Sequence, residues 1–109
     1  MKLPKGFGGQ GFSGALVKAQ QAMARAQNLE SELANTRLSV DKGPVKAVFL
    51  GTGEMIKITI DKSVVDPEDV ESLEDLIVSV VRDGYQKSVE LRADKVEEIK
   101  RDTGLDLPL

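Results

Sequence analysis

Ile56, Ile58 and Ile60 alternate with Lys57 and Thr59, the period of a strand with one face buried. Two similar runs precede it. Thr36 to Asp41 puts Leu38 and Val40 on one face. Val45 to Leu50 puts Val45, Ala47 and Phe49 on one side and Val48 and Leu50 on the other. Asp41-Lys42-Gly43-Pro44 reads as the first turn and Gly51-Thr52-Gly53 as the second, which predicts an antiparallel meander closed by a strand from Glu54 to Ile60.

The flanking segments change period. Ala15, Ala19, Ala22, Ala26, Leu29 and Leu33 follow a 4-3-4-3-4 spacing, a seam for close helix approach. Ser13 is placed to cap that helix, which runs to about Asn35, a length of ~34 Å. A second helix is expected from Pro67, capped by Asp66, with Glu68 and Asp69 facing the positive end of its dipole. Val70, Leu73, Ile77 and Val80 follow at 3-4-3 spacing, and Leu76, Val81 and Gly84 widen the apolar face. Tyr85, Val89, Val96 and Ile99 continue at helical spacing to about Asp102, with Arg92 interrupting. Gly84 costs about 1 kcal/mol relative to Ala inside a helix, so it marks the place for a bend or break. The fold class is therefore α+β: a long helix, a three-stranded antiparallel sheet and a second long helix.

The 109 residues suit one small domain. Met1 to Phe12, with Pro4 and four glycines, reads as a flexible arm, 13–103 as the domain, and 104–109 as a tail. Three Phe, one Tyr and no Trp give a core with little aromatic bulk, which favours extra burial through self-association. Phe49, Ile56, Ile58, Leu73, Ile77 and Val80 are the positions expected in the core or a dimer interface. The absence of Cys and His removes thiolate metal sites, Ser/His/Asp and Cys/His arrangements, and the usual general base near neutral pH. No enzyme activity, metal, cofactor or small-molecule substrate is expected. No apolar run approaches the ~18 residues of a membrane span, and the start of the chain lacks a secretory pattern, so the expected location is the cytoplasm.

Two motif-like stretches have plain explanations. The acids Asp66, Glu68, Asp69, Glu71, Glu74 and Asp75 lack the calcium-loop spacing and read as a helix cap with a solvated face. Gly6-Phe7-Gly8-Gly9-Gln10-Gly11 lacks the strand that precedes a phosphate-binding loop.

Charge is uneven along the chain. Residues 1–60 carry a net +4 and residues 61–109 a net −7, within an overall −3. Lys18 and Arg25 are seven residues apart, on one face of the first helix. Lys87, Arg92 and Lys95 lie on the distal half of the second, interleaved with Glu90, Asp94, Glu97 and Glu98. Ordinary helix-surface pairing is one reading of these cations, and phosphate contact is the other.

The order of these features carries a resemblance. It comprises the Gly-rich start, the Gln/Ala/Met helix from Lys18 to Leu33 and the Gly43 to Lys46 strand opening. Ile60-Asp61 to Val65 follows, then Asp66-Pro67-Glu68-Asp69-Val70-Glu71-Ser72-Leu73-Glu74-Asp75-Leu76-Ile77 and the tail from Thr103 to Pro108. The whole is similar to the YbaB/EbfC family of small bacterial nucleoid-associated proteins. The resemblance implies a tweezers-like homodimer that binds double-stranded DNA at the nucleoid, for chromosome organisation or gene regulation. It also shifts the reading of Lys18, Arg25, Lys87, Arg92 and Lys95 towards DNA contact. No recognition-helix motif is present, so weak sequence specificity is expected. The alternative is a dimeric protein–protein adaptor without direct DNA binding, whose acidic C-terminal helix docks basic partners.

Overall fold

The computed structural model describes residues 10–104. In chain order they form α1 (Gln10–Ala34), β1 (Arg37–Asp41), β2 (Val45–Leu50), β3 (Met55–Ile60), a 3-10 turn (Lys62–Val64) and α2 (Val70–Thr103). The strands make one antiparallel sheet in the order β1-β2-β3. The expected α+β order is therefore the observed one. Of the expected N-terminal arm, residues 1–9 lie outside the described part, and α1 already includes Gln10 to Phe12. Of the expected tail, only Gly104 is described.

The described residues divide into two compact units, and both helices contribute to each. The first unit contains α1 as far as Leu29 and α2 from Asp94 onward. Ala22, Leu29 and Ile99 are buried there, and Ala19 and Ala26 half-buried. From Ala19 onward the small-residue seam is thus the packed side of α1, as its spacing requires, whereas Ala15 at its start is exposed. Thr103, also buried, donates its hydroxyl to the Ile99 carbonyl at 2.5 Å. Gly104 follows at φ 68°, and its N–H donates to the Lys100 carbonyl at 2.7 Å, a left-handed stop for the helix.

The second unit, Glu30–Ala93, holds the sheet and the first part of α2. Its core is Val40, Val45, Ala47, Phe49 and Val80, with Leu38, Ile58, Ile60, Val64, Leu73 and Leu76 packed around it. Pairing explains the choice of face. Ala47 lies opposite Val40 and Ile58, Val45 opposite Ile60, and Phe49 opposite Leu38, so one side of all three strands is apolar. A register irregularity at Val48/Phe49 precedes the hairpin, where the Leu50 N–H donates to the Glu54 carbonyl at 2.7 Å. Gly43 closes the other turn at φ 76°, and its N–H donates to the Asp41 carboxylate at 2.9 Å.

Three local expectations are corrected. Helix α1 begins at Gln10, ahead of Ser13, so Ser13 is not its cap. Helix α2 begins at Val70 and not at Pro67. Asp66 instead closes a turn, accepting the Glu68 N–H at 2.9 Å. Asp69 is the capping residue, accepting the Ser72 N–H at 3.3 Å and the Ser72 hydroxyl at 2.7 Å. An Asp side chain two residues ahead of an N–H closes a turn as readily as a helix, and here the turn prevails. Finally, α2 is unbroken through Gly84. A Cβ at that position would meet the Phe49 ring at 2.0–2.4 Å, so the glycine makes room for the ring and does not bend the helix.

Candidate functional site

The five helical cations named from the sequence differ in how their charge is used. Lys18 is exposed on α1 and has no ion-pair partner among the described residues. Arg25 is half-buried and engaged twice, at 2.9 Å with Asp102 and 3.4 Å with Glu98. Lys87 is exposed and donates to the Ser39 carbonyl at 2.8 Å, at the edge of β1. Arg92 pairs with Glu30. Lys95 is half-buried and also has an interaction partner.

The Arg92 pair perturbs both groups. The guanidinium hydrogen bond holds the Glu30 carboxyl below its ordinary range and raises Arg92 above its own. Asp61 is also lowered, chiefly by the Ser63 N–H that it accepts at 2.8 Å and then by the Ser63 hydroxyl. These groups sit at the surface, where solvent screens their attraction. They orient side chains and do not lock them.

The positions named for core or interface separate in the same way. Phe49 and Val80 are fully buried in the core of the second unit. Leu73 and Ile58 pack at its margin. Ile77 is half-buried, and Ile56 is 41% exposed. Ile77, Val78, Val81 and Tyr85 line a shallow, almost wholly apolar furrow of about 440 Å³ on α2, with Arg82 at its rim.

Sequence reading marked Val48 and Leu50 on the outer face of the sheet but did not single out its cations. That face carries Arg37, Ser39 and Asp41 of β1, Lys46 and Val48 of β2, and Lys57 and Thr59 of β3. A half-open depression of about 250 Å³ lies among Ser39, Asp41, Lys46, Val48, Lys57 and Thr59. Arg37 and Lys57 make no ion pair among the described residues, and Lys46 reaches Asp41 only at 3.8 Å. The signal was present in the strand alternation, which assigns Lys46 and Lys57 to the side opposite Ala47 and Ile58.

Among the described residues there is no grouping of three or more Asp or Glu suited to a metal ion. No described helix is long and apolar enough to cross a membrane. The exposed acids from Glu68 to Asp75 make a cap and a solvated surface.

Comparison with known proteins gives a consistent result. Residues 8–103 match the model of the YbaB/EbfC DNA-binding family. A nucleoid-associated protein of Syntrophobacter fumaroxidans is 43% identical over 93 residues, covering 84% of this chain and 82% of that one. Another from Rhodococcus erythropolis is 35% identical over 103 residues, covering 93% and 92%. Among solved structures, an uncharacterized protein from Helicobacter pylori superposes with a TM-score of 0.60 at 27% identity, covering 70% of this chain and 82% of that chain.

Proposed function

The chain belongs to the YbaB/EbfC DNA-binding family, and from that premise we propose that it is a homodimeric, nucleoid-associated protein that binds duplex DNA with weak sequence specificity. The observation that carries this reading is the family match over residues 8–103. The helical cations support it, since Lys18 has no ion-pair partner among the described residues and the partners of Arg25 and Arg92 are carboxylates at least partly open to solvent that a phosphate can replace. In a dimer each cation occurs twice. A few phosphate contacts per chain then suffice despite the net charge of −3. The dimer contact is assigned to the α2 furrow of Ile77, Val78, Val81 and Tyr85, because Phe49 and Val80 are already used inside the chain's own core.

The test is duplex binding by fluorescence anisotropy at several salt concentrations. Affinity is expected to fall steeply with salt, about 0.9 in log–log slope per phosphate neutralised, and to vary little between unrelated duplexes. Replacing Lys18 and Arg25 together by Ala is expected to weaken binding and flatten the slope with the dimer intact. No binding at low salt would overturn the reading. It would favour the adaptor function instead, for which the exposed acids Glu68, Asp69, Glu71, Glu74 and Asp75 offer a surface complementary to a basic protein.

A further inference from the structure

We propose that the outer face of the sheet is a second phosphate-contact surface for nucleic acid, with Arg37, Lys46 and Lys57 as its charged contacts. The proposal rests on the DNA-binding reading and extends it from the helices to the strands.

The argument begins with register. Lys46 lies opposite Thr59, and Val48 opposite Lys57, so the two lysines are diagonal neighbours on adjacent strands, about 7–8 Å apart at their bases. Arg37 lies opposite Leu50, at the far end of β1 on the same side. Ser39 and Thr59 place hydroxyls between the cations, and hydroxyls donate to phosphate oxygens without adding charge. Asp61 lies beside Lys46 and Thr59 and accepts the Ser63 N–H at 2.8 Å. The other carboxylate on this face is Asp41, and it is already committed. One of its oxygens accepts the Gly43 N–H at 2.9 Å, and the other faces Lys46 at 3.8 Å. Lys87 adds a further cation at the rim, on the Ser39 carbonyl.

Three cations against the two carboxylates Asp41 and Asp61, with Lys87 at the rim, leave this face electropositive in a chain whose net charge is −3. A polyanion is the partner that such a face attracts. A second copy of the chain fits it less well. A stable self-contact needs a mainly apolar patch, and this side offers Val48 and Leu50 among charged and hydroxyl groups. The apolar side of the sheet is already covered by α2. Because the contacts are long, exposed side chains with no base-reading geometry, they would add affinity and salt dependence without sequence preference.

The test compares the full chain with the variant Lys46→Gln/Lys57→Gln by anisotropy on one duplex, between about 50 and 200 mM salt. The expected result is weaker binding and a log–log slope smaller by about 1.8 for each chain of the dimer whose sheet is engaged, with the helical circular dichroism and the light-scattering mass unchanged. A second measurement needs no variant. Acetylation of the wild-type chain, read by mass spectrometry, is expected to slow at Lys46 and Lys57 when duplex is bound. Unchanged slope and unchanged labelling, with wild-type binding intact, would overturn the sheet-face proposal alone and leave the helical contacts standing. A variant that loses its dimer would assign the face to contact between copies and also overturn it. No wild-type binding at low salt would remove the sheet-face contact together with the DNA-binding reading.

Discussion

At position 84 a side chain of any size would collide with Phe49, since an added Cβ would lie 2.0 Å from the ring's Cε2 and 2.2 Å from its Cζ. Helix propensity favours Ala over Gly here by about 1 kcal/mol. Packing opposes it, because Phe49 is 2% exposed and has little room to move. Overpacking a core costs about 1–3 kcal/mol, so the clash is the larger effect. Gly84→Ala is therefore expected to lower the urea midpoint, and Phe49→Leu is expected to recover part of the loss in the double variant. A more stable Gly84→Ala protein would mean that the ring does not occupy this space. The same contact explains why a glycine that looked like a weak point in α2 leaves the helix continuous.

The elements were visible in their periodicities, but their ends were not. Asp66 and Asp69 are both acids ahead of an apolar helical run, and sequence spacing favoured the first because Pro67 follows it. The hydrogen bonds favour the second: Asp69 satisfies the Ser72 N–H of α2, whereas Asp66 satisfies a turn that precedes the helix. Asp69→Ala is expected to cost about 1 kcal/mol in urea unfolding, the usual loss for a cap, and Asp66→Ala clearly less. The reverse order of costs would place the functional start of the helix at Pro67. For α1 the small-residue seam was legible because burial follows it from Ala19 onward: Ala22, Leu29 and Leu33 are 0–3% exposed. Its start was not legible, since the glycines ahead of Ser13 hid a helix that already runs from Gln10.

At the scale of the whole molecule, Val80 and Val81 make the sharpest comparison. Val80 is fully buried against the sheet, whereas Val81 is 40% exposed on the α2 furrow. Val80→Asp buries an unpaired carboxylate and is expected to abolish folding, seen as loss of helical circular dichroism. Val81→Asp is expected to leave the chain folded. In the proposed dimer it should shift the light-scattering mass from about twice 11.8 kDa towards 11.8 kDa. A Val81→Asp protein that remains dimeric at micromolar concentration would place the contact between copies elsewhere.

The sequence by itself determined the kinds and order of the elements and the strand alternation. These depend on local period, and a period of two or of three and four is written directly in the apolar positions. It also excluded thiolate and imidazole chemistry, which follows from composition alone. Only the tertiary structure decided which side of β2 is the core. Val45, Ala47 and Phe49 compete in sequence with Val48 and Leu50, and the former win because cross-strand register aligns them with Leu38, Val40, Ile58 and Ile60. It also decided which charges are held. Arg92 finds Glu30 from 62 residues away and Arg25 finds Glu98 from 73, while Arg37 and Lys57 remain without ion-pair partners among the described residues. A charge partner is chosen by which distant segments the core brings within a few ångströms, and no local pattern encodes that approach.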